Sequence, residues 1–221
     1  MTNTPIIKIP KGAPWLDYSS LTLLQRCPRA YWWRHRQFVT DAITGSALIN
    51  GQAYHESKAT YLQAIMDGKT HDEAKRLALE ALGPIMFQIQ TADPKRNITV
   101  ALDTMNYYFD YWKDSNYKPI QVEVGFAVDL GEFFFVGRID SFEHCSFGDV
   151  VMETKTTTIV GERWQFRGDP NLQVDGYVAA MFIITGKMPF GGVLDIIPLH
   201  DKKRIEPFRI MAPRNEMSIE T

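Results

Sequence analysis

Apolar residues recur every three or four positions through the first half of the chain, which is the spacing of amphipathic helices. Residues 48–67 show this pattern and end before Gly68, and the T-x-x-E box of Thr70 and Glu73 is typical of a helix start. The predicted helices are one capped by Ser19 or Ser20, then 28–38, 48–67, 71–83, and 94–114 with Asp93 as its cap.

After Pro119 the pattern changes to that of strands. Three segments rich in Val, Phe and Thr, at 121–128, 132–142 and 148–157, are separated by short turns that suit an antiparallel meander. Further along, the pattern predicts a helix that opens at Asp169-Pro170 and reaches Thr185 before Gly186, then strands at 191–198 and 205–211.

This order of elements predicts an α/β (α+β) fold, with a mixed β-sheet flanked by helices. We expect residues 1–221 to form one domain, with a helical N-terminal part over about 15–115 and a strand-rich core over about 119–211. The 45% hydrophobic and 23% charged content is ordinary for a soluble globular protein. Because neither a membrane span of ~18 apolar residues nor a secretory or transit peptide is recognisable, we expect a cytoplasmic protein without membrane association.

Charge and cysteine content narrow the function classes. A net charge of −2 argues against a protein that coats nucleic acid through bulk positive charge, because that mode of binding depends on neutralising phosphates. It does not exclude an enzyme whose clustered carboxylates offset a local basic groove. Cys27 and Cys145 form no CxxC or Cys/His spacing, which disfavours a disulfide framework, a structural zinc site and a four-cysteine iron–sulfur cluster.

Glu153 and Lys155 place an acid and a base on the same face of a predicted apolar strand, because alternate residues of a strand face the same side. Alone, such a pair is usually an ion pair at the exposed end of a strand. Asp140 lies in the neighbouring predicted strand, opposite Thr154 to within one residue. Two carboxylates in an apolar setting repel each other unless a cation or a proton lies between them. Mg²⁺ takes such oxygen ligands, and Lys155 would orient the attacking water or offset charge on a phosphate, so the trio suits phosphodiester hydrolysis.

The sequence around these residues resembles the core of the PD-(D/E)XK nucleases, since Asp140 ends G-R-I-D and E-T-K follows at 153–155. The detail is closest to the RecB-type branch, which includes phage recombination exonucleases and CRISPR-associated iron–sulfur exonucleases. Three further motifs are similar to that branch: Gly51-x-x-x-His55 on an upstream helix, Gln173-x-x-x-Tyr177 on the helix after E-T-K, and an opening segment from Tyr18 to Tyr31.

The resemblance implies a restriction-endonuclease-like fold and hydrolysis of DNA by a metal-activated water. It favours an exonuclease of DNA processing or recombination in a bacterial or phage-infected cell, with Mg²⁺ or Mn²⁺ as cofactor. Iron–sulfur members carry three cysteines after the core, and none follows Cys145, so no iron–sulfur cluster is expected. The implied roles are metal binding by His55, Asp140, Glu153 and the Thr154 carbonyl, catalysis by Asp140, Glu153 and Lys155, and support of site or substrate by Gln173 and Tyr177.

Three arginines, Arg29, Arg34 and Arg36, are interleaved with flat aromatic residues such as Trp32 and Trp33. This mix suits the binding of single strands, with guanidinium groups on phosphates and rings stacked on bases. We expect Arg34 and Arg36 at the DNA entrance and Arg29 facing a phosphate or the protein. The simpler interpretation is an amphipathic helix whose arginines are solvated.

Simpler interpretations are open elsewhere too. A lone helical histidine is usually a hydrogen-bonded structural residue, although Gly51 leaves room for an ion beside His55. Gln173 and Tyr177 would also occur in ordinary helix packing, and Glu123 either joins the acidic site or is merely solvated. An endonuclease on the same core and a non-catalytic nucleic-acid-binding subunit are the alternative functions. A homo-oligomer or a recombination partner protein is left open.

Overall fold

The computed structural model of the chain describes residues 9–39, 45–89, 93–159, 171–199 and 204–215. Its elements, in chain order, are β1 (Trp15–Leu16), α1 (Tyr18–Arg26), α2 (Pro28–Tyr31), a π-helical turn (Trp32–Arg36), α3 (Ser46–Met66), α4 (His71–Met86), α5 (Ile98–Trp112), β2 (Lys118–Asp129), β3 (Phe134–Cys145), β4 (Gly148–Thr157), α6 (Leu172–Thr185), β5 (Gly191–Pro198) and β6 (Phe208–Pro213). Among the described residues, no helix is long and apolar enough to cross a membrane.

The six strands form one mixed sheet. Strands β2, β3 and β4 make the predicted antiparallel meander, β4 pairs in parallel with β5, and β6 runs antiparallel to β5. Strand β1 pairs in parallel with the start of β3. The predicted fold class, a mixed sheet flanked by helices with a helical N-terminal part, is confirmed.

The sheet is covered on both faces. Neighbouring residues of β5 take opposite sides: Ile196 packs in the cluster that contains α6, whereas Ile197 packs with α3, α4 and α5. Helix α6 therefore forms one outer layer, and the α3–α5 bundle forms the other. This arrangement brings side chains of α3 and α6 to the same central strands.

Several predicted helix starts are wrong, because a neighbouring polar side chain caps the backbone better. Helix α1 is capped by Asp17, whose side chain accepts a hydrogen bond from the Ser20 N–H. The Ser20 hydroxyl in turn accepts from the Asp17 N–H. Neither Ser19 nor Ser20 is therefore the cap. Helix α5 begins at Ile98, capped by Asn97. Asp93 instead bonds the Lys95 N–H and Arg96, closing a local turn before the helix.

The bounds of several other helices and strands also differ from the predicted ones. The Thr70 capping box is confirmed, but α4 runs through Gly83 and Pro84 to Met86. The predicted helix 28–38 is a short α-helix followed by the π-helical turn. Helix α6 is capped by Asn171. Asp169-Pro170 lies outside the described residues. Strand β3 starts two residues later than predicted, because the Asp129 side chain accepts from the Gly131 N–H in a turn.

Candidate active site

A cleft opens where β3 and β4 separate. Their ladder runs from Cys145↔Gly148 to Ser141↔Met152 and then stops, while β4 stays with β5 as far as Thr157↔Pro198. Strand β2 pairs with one edge of β3 along the length of that strand. At the opposite edge of β3, β1 pairs with residues 134–135 and β4 with residues 141–145, so residues 136–140 of β3 have neither strand beside them. The cleft has a volume of about 750 Å³.

Asp140 and Glu153 are the first residues beyond the last β3–β4 pair, and both line the cleft. The predicted proximity, with Asp140 opposite Thr154 to within one residue, is confirmed. The Thr154 backbone N–H lies beyond the end of the backbone ladder with β3 and donates instead to the side chain of Asp140, at 2.6 Å from Oδ2. The other oxygen of Asp140 lies 2.9 Å from Nδ1 of His55 on α3.

Glu153 and Lys155 project together, as strand alternation predicts, and α6 holds both. Lys155 Nζ lies 2.6 Å from Glu153 Oε1 and 2.8 Å from Gln173 Oε1. The Gln173 amide nitrogen in turn donates to Glu153 at 2.8 Å and to the Tyr177 hydroxyl at 3.2 Å. A single amide therefore fixes the acid, the base and the phenol relative to one another.

Tyr177 reaches this position because Gly137 of β3 has no side chain. A Cβ at 137 would lie 2.5 Å from the Phe126 ring and 3.2 Å from the Tyr177 ring. The two rings pack edge to face with centroids 5.5 Å apart. Tyr177 thus has both roles that the sequence left open, core packing and a hydrogen bond into the site.

The two carboxylates respond oppositely to this environment. Burial together with the nearby charge of Asp140 raises the pKa of Glu153 to about 7, despite its ion pair with Lys155. Burial would also raise the pKa of Asp140, but the hydrogen bond and charge of His55, with the Thr154 N–H, lower it below its usual value. The same contact with Asp140 outweighs burial and raises the pKa of His55. The cleft is therefore short of positive charge around Glu153.

A further carboxylate lies at the rim of the cleft. Glu123 of β2 faces the cleft and pairs with Arg138 at 2.7 Å. Burial, with Asp140 and Glu56 nearby, raises the pKa of Glu123 in spite of that pair. Its φ of 52° is in the left-handed region, which is unusual for a residue with a side chain and common at functional sites. Sequence reasoning had considered Glu123 but not Arg138, although Arg138 belongs to G-R-I-D.

The three arginines are not in the cleft. Arg34 and Arg36 line a separate depression with Trp15, Tyr31 and other residues of the N-terminal part, and Arg29 is exposed and lines neither. Helix α1 lies between the depression and the cleft, since Tyr18 and Ser19 line the cleft and Ser20 lines the depression.

Within the described ranges, no three His, Cys, Asp or Glu side chains converge closely enough to hold a metal ion as they stand. The donor set nevertheless fits a hard divalent ion. It offers two crowded carboxylates, and burial together with the charge of Asp140 keeps the pKa of Glu153 raised. The Thr154 carbonyl lies on the same edge of β4 as the Thr154 N–H, and that N–H faces Asp140.

Comparison with known proteins gives a family match and structural matches. The family profile of the PD-(D/E)XK nuclease superfamily matches residues 16–188. A crystal structure of a candidate exonuclease from Eubacterium rectale is similar with a TM-score of 0.53 and 11% identity, over 100% of this chain and 80% of that chain, which shows the fold alone. The structure of SSO0001 has a TM-score of 0.30 and 17% identity, over 91% of this chain and 81% of that one, which is too distant for any argument. No significant match is found among curated proteins.

Proposed function

The chain belongs to the PD-(D/E)XK nuclease superfamily, and from that premise we propose that it is a divalent-metal-dependent deoxyribonuclease. We favour an exonuclease of the RecB-type branch that hydrolyses phosphodiester bonds in the cytoplasm during DNA processing or recombination. The observation that carries the proposal is the pair of crowded carboxylates at the open end of β3 and β4, with a lysine ammonium 2.6 Å from one of them.

The ligand roles follow from the donors in the cleft. Asp140, Glu153 and His55, with the Thr154 carbonyl, would hold Mg²⁺ or Mn²⁺, the ions that members of this superfamily generally use. When bound, the ion supplies Lewis-acid stabilisation of phosphate charge and lowers the pKa of a coordinated water. Asp140 would keep its contacts with His55 and with the Thr154 N–H as fixed partners.

Lys155 and Gln173 supply the rest of the chemistry. The Lys155 ammonium, held between Glu153 and Gln173, would orient the attacking water and offset charge that develops on the phosphate. Gln173 orients the Lys155–Glu153 pair by bonding each member through a different amide atom. Tyr177 anchors the amide from behind, so both α6 residues act by positioning.

The positions of individual side chains support the RecB-type assignment and the proposed path of the DNA. His55 beside Asp140, and Gln173 beside Glu153, are the contacts that the resemblance to that branch implies. Arg34 and Arg36 would bind DNA phosphates in the neighbouring depression, with the exposed rings of Trp32 and Trp33 as stacking surfaces. Arg29 would contact a phosphate further out.

The test uses end-labelled linear DNA and closed circular DNA, each single- and double-stranded, incubated with Mg²⁺, Mn²⁺ or EDTA. An exonuclease degrades the linear substrates in the presence of metal and leaves the circles intact. Cleavage of circles would show an endonuclease on the same core. Undiminished degradation in excess EDTA would overturn the metal requirement, and inactivity with every substrate and ion would indicate a non-catalytic DNA-binding subunit.

A further inference from the structure

Behind the catalytic strand, on the face opposite α6, lies a buried cluster of charged and polar groups. Lys58 of α3 is 3% exposed, and its Nζ lies 2.6 Å from Asp195 Oδ2 and 2.9 Å from Thr154 Oγ1. Tyr108 of α5 also donates to Asp195 Oδ2. Arg209 of β6 reaches the second Asp195 oxygen at 3.4 Å. Five elements of the fold therefore meet at these side chains.

Arg209 joins the cluster to the polar and aromatic side chains around it. Arg209 donates to the Ser115 hydroxyl at 2.9 Å, and its guanidinium lies over the rings of Trp112 and Tyr117, 4.0 and 4.6 Å from their centroids. Both oxygens of Asp195 have a cationic partner, and Asp195 is 0% exposed. Such groups cost free energy to bury, and apolar residues of similar size are often as stable in their place, so stability alone gives little reason for the cluster.

Thr154 connects this cluster to the active site. It lies between Glu153 and Lys155, and its side chain points away from them, towards Lys58. Its backbone N–H is bound by Asp140, which is bound in turn by His55. His55 and Lys58 are one turn apart on α3. The contacts thus form a closed ring: His55 to Asp140, Asp140 to Thr154, Thr154 to Lys58, and back through the helix.

We infer that Lys58 is a positioning residue for hydrolysis, which locks helix α3, and with it His55, to the strand that carries Glu153 and Lys155. This inference rests on the proposed function. Asp195, Tyr108 and Arg209 hold the Lys58 ammonium in place, and the ammonium holds Thr154. A shift of α3 along β4 would have to break the Lys58–Thr154 bond and the His55–Asp140 contact together. Lys58 bonds none of Asp140, Glu153 and His55, and it reaches Thr154 through the hydroxyl and not through the carbonyl proposed as a metal ligand.

Thr154→Val tests the ring without disturbing the buried ion pair. Valine keeps the shape and the preference for a strand but removes the hydroxyl that Lys58 holds, while Lys58 stays paired with Asp195. Partners behind the ligands of a metal site typically contribute about 10–100-fold to metal affinity or turnover. We therefore expect Thr154→Val to lower Mn²⁺ affinity or kcat by about that factor, with KM for DNA nearly unchanged. The melting temperature should fall only by about a few degrees, because the buried Lys58 ammonium loses one partner and keeps Asp195.

Two further variants complete the test. Thr154→Ser keeps the hydroxyl and should restore wild-type values. Thr156→Val makes the same chemical change two residues along β4, where the described residues offer no side-chain hydrogen bond, and should have no effect. In a double-mutant cycle, His55→Ala should cost less in the Thr154→Val background than in the wild type, since both changes open the same ring.

Wild-type Mn²⁺ affinity and kcat in Thr154→Val, or equal losses in Thr154→Ser, would overturn the role of Lys58. Mn²⁺ titration decides this question even for a protein that cleaves nothing. An inactive wild type therefore counts against the proposed nuclease, whereas an active wild type with an indifferent Thr154→Val counts against the positioning ring.

Discussion

Strand β4 has charged groups near both of its faces, and the two sets are balanced differently. Behind the strand, Asp195 is buried, yet Lys58 and Arg209 outweigh the effect of burial and lower its pKa. In the cleft, burial and the nearby charge of Asp140 outweigh the ion pair with Lys155, and they raise the pKa of Glu153 to about 7. The comparison indicates that the balanced cluster joins elements of the fold, whereas the unbalanced one is suited to receive a cation.

The largest expected effect is on cleavage. Asp140→Ala and Glu153→Ala should each lower turnover by about 10⁴-fold or more, as when one member of a catalytic unit is removed. Both should also lose Mn²⁺ binding. Lys155→Ala should lower the rate by about 10²–10³-fold and keep the ion, because the lysine acts on water or phosphate. Titration calorimetry with Mn²⁺ and a cleavage assay measure both quantities. A Lys155→Ala enzyme with near wild-type rate would show that E-T-K is merely an ion pair.

The next effect separates the two clusters by stability. Asp195→Ala leaves Lys58 buried without its carboxylate, which should cost about 3–5 kcal/mol of unfolding free energy. Glu153→Ala should cost little or even stabilise the metal-free protein, since it relieves repulsion with Asp140. Urea denaturation in EDTA measures both variants. If Glu153→Ala destabilises the protein as much as Asp195→Ala does, the cleft is not short of positive charge.

A smaller effect is the dependence of stability on pH without metal. The folded pKa of Glu153, about 7, lies above its ordinary value of 4.5, so its contribution is full below about pH 4.5 and is lost as pH rises through 7. His55, whose pKa is raised from 6.5, acts in the same direction. Asp140 has a lowered pKa and matters only in more acidic solution. We expect a loss of about 1–3 kcal/mol between pH 5 and 8.

Melting curves in EDTA across that range check the sign, and Glu153→Gln is the matched control. It should reduce the slope because it removes the ionisable group but keeps the shape. A wild-type protein that becomes more stable from pH 5 to 8, or a Glu153→Gln variant with the wild-type slope, would contradict the assigned imbalance.

The smallest effect is on the choice of metal. Imidazole suits the softer Mn²⁺ better than Mg²⁺, so the wild type should turn over at least as well with Mn²⁺. His55→Ala should narrow that difference to roughly equal rates. Parallel assays in the two ions measure it. An unchanged preference would place His55 in the ring with Asp140 and Thr154 but outside the metal site.

The sequence predicted local features well and long-range ones poorly. Strands β4 and β5 have their predicted bounds, and the short turn before Gly148 set the register that brings Asp140 to Glu153. The start of α5 was missed because Asp93 and Asn97 are both good caps, and Asp93 is satisfied by Lys95 and Arg96.

Lys58 was missed for a different reason. Its partner Asp195 is 137 residues away, and no spacing rule connects them. The one available signal was a lysine in line with Tyr54 and Tyr61, at the i, i+4, i+7 positions of a buried helix stripe. A lysine there must find a buried partner, although the sequence does not say which.

The ring between α3 and the sheet has a consequence for how the protein is made. Its two contacts from α3 to the sheet join residues 85 and 96 positions apart, and the adjoining Lys58–Asp195 pair joins residues 137 positions apart. Each of these three contacts closes a long loop, which is slow to form. During synthesis α3 is made before β3, β4 and β5, and Lys58 can pair with Asp195 only after β5 has been made. A nascent chain therefore carries no assembled cleft until nearly all of its sheet has been translated.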